Sequence, residues 1–155
     1  MSTRKPDLVE SVGATLARLA RTSLSRSAFA HHASAADTEL SQSAYTLLRI
    51  LIDDGALPIG RLAKIADMDV GMATRRVQAL VESGLAVRVA DTTDGRLSVI
   101  RATVNGARAA ASLHEVRRDY LGRALSGWSV ADLEQFERLL MKFLDDAVAT
   151  PLAPT

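Results

Sequence analysis

The feature that most constrains the fold is a change of hydrophobic period around residue 85. From Val70 to Ser83 the apolar positions Ala73, Val77 and Leu80 recur at helical spacing, and Gly84 ends the run. Directly after it, Val87 and Val89 alternate with Ala86, Arg88 and Ala90; further on, Leu97 and Val99 alternate with Ser98 and Ile100. A period of 3.6 reads as a helix with one buried face, and a period of 2 reads as a strand. The segment from Asp91 to Arg96 is rich in turn formers, so the two strands make a hairpin. A helix that runs straight into a hairpin leaves little freedom for what surrounds it.

The rest of the chain is helical in pattern. Residues 8–30 carry Leu8, Val12, Leu16, Leu19 and Leu24 at helical spacing and read as one long amphipathic helix, followed by a connection over 33–39. Ser41 caps a second helix with Leu47, Leu48, Ile50 and Leu51 on its apolar face, and Asp54-Gly55 ends it. Pro58 suits the first turn of a short third helix reaching about Ala66, where its missing N–H has no partner to lose. Asp69 caps the fourth helix. After the hairpin the helical period returns from Thr103 through Leu125, breaks at Ser126-Gly127-Trp128, and resumes behind a capping-box-like Ser129-Val-Ala-Asp132. The last helix stops before Thr150-Pro151.

That order, with two short helices joined by a tight turn and then a hairpin, is a winged helix-turn-helix. The expected fold class is therefore mainly α with a small β-hairpin wing, flanked by N- and C-terminal helices. Such a module braces its second short helix so that the outward face enters the major groove of DNA, about 12 Å wide. Here the outward set is Gly71, Met72, Thr74, Arg75 and Gln78, with Arg76 near the edge. It is small, polar and basic, suited to base edges and phosphates. Arg75 and Arg76 also fit a plain solvated surface, and the motif around them favours DNA contact. Met72 and Thr74 fit either a thymine methyl or incidental surface. Arg96, at the hairpin tip, is placed to reach a minor groove. Asp94 shapes the turn or holds Arg96 rather than touching phosphates that would repel it.

Charge supports this only locally. The net charge is +1, but residues 61–101 sum to +2 while 33–60 and 130–155 each sum to −3. Arginine outnumbers lysine 16 to 3, which suits bidentate phosphate and base contacts but also follows from base composition alone.

Several function classes fall away. With no cysteine there is no disulfide, no thiolate nucleophile and no thiol switch. The longest stretch free of Asp, Glu, Lys and Arg is ten residues, Ser27 to Ala36, whereas a membrane-spanning helix needs about 20 apolar residues. Arg4 and Lys5 are followed by Asp7 and Glu10 where a secretory leader is apolar. The expectation is a soluble cytoplasmic protein. His31-His32 invites a metal, but neighbours on a helix do not face each other and His114 is the only other histidine, so no metal and no cofactor is expected. Gly55 to Gly60 has P-loop glycine spacing but leads into Arg61-Leu62 and a short helix, a coincidence. No Gly-x-Ser-x-Gly elbow or histidine–carboxylate arrangement supports an enzyme.

Residues 40–104 resemble the core of the MarR-type transcription regulators. The resemblance runs through Leu40-Ser41, Leu62-Ala63, the stretch from Thr74 to Leu85, Arg88, Asp94-Gly95-Arg96 and Thr103-Val104-Asn105-Gly106. Gly95 stands where that family commonly has Arg or Lys, which removes one wing charge and lowers the expected hold of the wing on DNA. The resemblance implies one compact unit with an N-terminal dimerisation helix in 1–39, a DNA-binding core in 40–104 and C-terminal dimerisation helices in 105–155. It implies a homodimer on a pseudo-palindromic double-stranded operator, and a repressor relieved by a small aromatic or amphipathic effector. Phe29, His32, Tyr45 and Arg49 are the candidates to line an effector cleft, although Phe29 and Tyr45 read slightly better as ordinary core. The rival to this reading is a winged-helix protein-interaction module without DNA binding, which Arg75, Arg76 and Gln78 argue against.

Overall fold

The computed structural model describes residues 5–91 and 98–151. Its elements are α1 (Lys5–Thr22), α2 (Arg26–Ala35), α3 (Gln42–Asp53), β1 (Leu57–Pro58), α4 (Ile59–Ile65), α5 (Val70–Glu82), β2 (Ala86–Ala90), β3 (Ser98–Ala102), α6 (Val104–Ala124) and α7 (Val130–Ala149). The chain divides into two compact units, Met1–Arg117 and Arg118–Thr155, with the boundary inside α6.

The first difference from the sequence reading is at the N-terminus, where two helices replace one. Ser25 is extended, at φ −71° and ψ 158°, and its hydroxyl accepts the Ala28 N–H. The same hydroxyl donates to Thr22 O at 3.1 Å, so one side chain serves the last turn of α1 and the first of α2. Ser-x-Ser offers the backbone an alternative to the helical ladder, and here it wins over the continuing leucine pattern. At its far end α2 extends to Ala35, into the segment expected as a connection, and closes with Asp37 at φ 50°.

The caps of α3 and α5 stand where the sequence puts them. Ser41 Oγ accepts the Ala44 N–H, and Asp69 accepts the Met72 N–H at 2.7 Å. Between α4 and α5 the chain turns through Asp67, at φ 51°, with Met68 N donating to Ala63 O and Asp67 N to Lys64 O. This is the 6→1 and 5→2 pairing of a Schellman closure, with aspartate in the left-handed position that glycine most often takes.

The sheet carries a third strand. β1 pairs antiparallel with β3, Leu57 opposite Ile100 and Pro58 opposite Val99, and β3 pairs with β2 from Ala86–Ala102 to Ala90–Ser98. Pro58 accordingly stands at the N-cap of α4, in extended conformation, rather than inside its first turn. Because β3 is central, Val99 and Ile100 are both buried although they point to opposite faces. On β2, Ala86 reaches the core while Val87 is exposed.

In the first unit Leu47 and Leu48 of α3, Leu62 of α4, Val77 of α5, Ile100 of β3 and Leu113 of α6 are fully enclosed. Burial of each contributes about 1.5–3 kcal/mol. No polar or charged residue is buried among the described residues. In the second unit Ser129 and Asp132 form a reciprocal capping box at the start of α7, and Trp128 meets Phe136 edge-on at 5.4 Å between ring centroids. Neither α1 nor α7 buries any residue. No helix of the described residues is long and apolar enough to cross a membrane.

Candidate nucleic-acid interface

α5 is held from three sides. Its inner positions Ala73, Val77 and Leu80 are buried, its start is capped by Asp69, and its end is fixed by Gly84 at φ 71°. Leu85 N donates to Leu80 O at 2.8 Å and Gly84 N to Val81 O at 3.0 Å, a second Schellman closure. Thr103 then ties that end to α6. Its hydroxyl donates to Gly84 O at 2.7 Å and accepts the Gly106 N–H at 3.0 Å. Gly106 is buried so close to the end of α5 that an added Cβ would stand 2.0 Å from Leu85 O.

The outward face of the rigid helix is the set read from the period. Gly71, Met72, Thr74, Arg75, Arg76 and Gln78 are all exposed. Neither Arg75 nor Arg76 belongs to any ion pair among the described residues. A side chain added at Gly71 would meet Asp69 Oδ1 at 3.1 Å and Arg75 Nη1 at 3.8 Å, so the guanidinium folds back toward the cap. Thr74 donates its hydroxyl to Val70 O at 2.7 Å, leaving oxygen lone pairs and a methyl outward. Gln78 donates from Nε2 to Glu82 Oε1 at 2.9 Å. Glu82, absent from the sequence-derived set, was detectable as the i,i+4 partner of Gln78. Asp94, Gly95 and Arg96 lie outside the described residues.

The effector candidates are brought together in part. Phe29 and Tyr45 are buried, with ring centroids 5.8 Å apart, and the Arg117 guanidinium lies 5.6 Å from the centre of the Tyr45 ring. Arg117, which sequence reasoning missed, gave no signal in its own neighbourhood. His32 is half-buried; burial, then the charge of Arg117, then His31 hold its pKa below 6.5. Phe29, His32 and Arg117 border a cavity of about 20 Å³, which is room for no more than a water. Arg49 is engaged by Asp53 at 2.6 Å. A larger cleft of about 610 Å³ opens between α2, the start of α3 and α5, bordered by Arg26, Phe29, Leu40, Met68, Met72 and Arg76. Among the described residues no three His, Asp or Glu side chains cluster as metal ligands.

The MarR family profile matches residues 40–98. The chain is 30% identical over 103 residues to the uncharacterized HTH-type transcriptional regulator YxaD of Bacillus subtilis, spanning 66% of this chain and 72% of that protein. Its fold matches that of a MarR family protein from Bacillus stearothermophilus with a TM-score of 0.79 at 20% identity, over 94% of this chain and 99% of that one. It also matches RV1404 from Mycobacterium tuberculosis with a TM-score of 0.73 at 22% identity, over 99% and 100% of the two chains. The helix-turn-helix, the winged sheet and the sequence that builds them together place this chain in the MarR family of transcriptional regulators.

Proposed function

We propose that the protein is a homodimeric, sequence-specific double-stranded DNA-binding regulator, acting in the cytoplasm as a repressor that a small effector relieves. The observation that carries DNA binding is the outward face of α5: exposed, small, polar and basic, on a helix whose inner face and both ends are fixed. Residues 40–104 form the reading core, and the helices in 1–39 and 105–155 supply dimer contacts. Arg75, Arg76 and Gln78 address base edges and phosphates, Met72 and Thr74 offer apolar contact to thymine methyls, and Arg96 on the Asp94-Gly95 turn enters the minor groove.

The effector is a small aromatic or amphipathic molecule. Phe29 borders the 610 Å³ cleft, which Met72 and Arg76 of α5 also border, so an occupant there touches the reading helix. Of the other candidates, Tyr45 packs its ring against Phe29, whereas His32 and Arg49 do not border this cleft. An occupant relieves repression only as far as it prefers the DNA-free arrangement.

The test is a fluorescence anisotropy titration against duplexes tiled across the DNA upstream of the protein's own gene, at two salt concentrations, with Arg96→Ala alongside. Tight binding to one pseudo-palindromic tile, weakened by salt and by the substitution, is the expected result. Weak binding that is equal on every tile overturns sequence-specific action at that locus and points to a protein partner.

A further inference from the structure

Gln78 is the one amide on the outward face of α5, and its orientation is not free. Its Nε2 donates to Glu82 Oε1 at 2.9 Å, and both side chains are exposed on the same face, one turn apart. An ionised carboxylate accepts hydrogen bonds and donates none. The pair therefore has a single sense: the amide nitrogen turns toward Glu82, and the reversed rotamer would set two oxygens against each other. What Gln78 has left to offer is its Oε1 acceptor and one N–H.

That remaining edge matches one base. In the major groove adenine presents the N6 amine beside the N7 acceptor, whereas guanine presents two acceptors, O6 and N7. An unrestrained glutamine turns its NH2 group to meet guanine. One held by Glu82 presents an oxygen where guanine O6 repels it. We propose that Glu82 is a specificity-positioning residue: by fixing the Gln78 amide it makes the base pair under Gln78 read as adenine in preference to guanine. This rests on the DNA-binding function proposed above. A carboxylate on a DNA-facing helix weakens binding by repelling phosphates, so the contribution of Glu82 is to the choice of site and not to its strength.

The experiment is selection from a randomised duplex pool with the full-length wild type, Glu82→Gln and Gln78→Ala, followed by anisotropy on the selected sites. Glu82→Gln keeps the length and helix propensity of an exposed side chain, but glutamine accepts or donates, so both senses of the pair become available. The wild type is expected to select adenine at one position per half-site, and Gln78→Ala to abolish that preference. Glu82→Gln is expected to admit guanine there, lowering the adenine-to-guanine ratio about tenfold with other positions unchanged. If Glu82→Gln tightens binding to all sequences equally with the ratio intact, Glu82 acts only through its charge and the proposal is overturned. Selection of a site with no Gln78-dependent adenine overturns it as well, while DNA binding stands. If the wild type selects no sequence at all, the DNA-binding reading itself fails.

Discussion

At the scale of single residues, two glycines fix the end of α5 for different reasons. Gly84 supplies a left-handed backbone at the end of α5, and this was legible because glycine after a periodic run is a stop signal. Gly106 has ordinary helical surroundings, and its role lies in what it approaches: Leu85 O, and Leu48 Cδ2 at 3.1 Å from an added Cβ. Nothing in local sequence signals a close approach between two elements, so only the family resemblance flagged the position. We expect Gly106→Ala to destabilise the fold by about 1–3 kcal/mol, because the end of α5 and the start of α6 must move apart. Thermal unfolding followed by circular dichroism measures the loss. A melting temperature equal to that of the wild type would show that the contact is slack. The outward residues of α5 were legible for a simpler reason: three buried positions at helical spacing fix which way all the others point.

Among elements, what was legible followed from local rules and what was not came from pairing over distance. The caps at Ser41, Asp69 and Ser129 are set by side chains bonding within three residues, and all three stand as read. β1 is two residues long and exists because Leu57 and Pro58 meet Ile100 and Val99 far along the chain, which no local pattern announces. The break between α1 and α2 is local, yet it lacks glycine or proline and holds Leu24 in step with the leucines of α1, so the amphipathic pattern ran through it. The Asp69 cap holds the end of α5 that our proposed function sets into the groove, and its bond to Met72 N is separable from its charge. We expect Asp69→Ala to cost about 1 kcal/mol in urea unfolding at unchanged m-value, while Asp69→Asn, an equally good cap, stays within a few tenths. Equal losses in both variants would assign the effect to the charge at the helix N-terminus instead.

For the whole molecule the decisive fact is how much apolar surface α7 leaves open. Phe136, Leu139, Leu140, Met141, Phe143 and Leu144 are each between 38% and 55% exposed, on a helix that buries no residue. Contiguous apolar surface of this kind marks an association site, and a second copy of the chain is the partner our proposed function requires. A two-fold dimer places its reading helices about 34–36 Å apart, one helical turn of DNA, so that binding one half-site raises the local concentration of the second domain at the other. Leu140→Glu sets a charge into that face, while the packing that holds α5 is made by residues of the first unit. We expect sedimentation equilibrium to show a dimer for the wild type and a monomer for the variant at the same concentration, with far-ultraviolet circular dichroism little changed. On a duplex with two half-sites the monomer should bind at least about a hundredfold more weakly than the dimer, and no better than it binds a duplex with one. A monomeric variant that held the two-site duplex as tightly as the wild type would separate DNA recognition from dimerisation and leave the open face of α7 to some other partner.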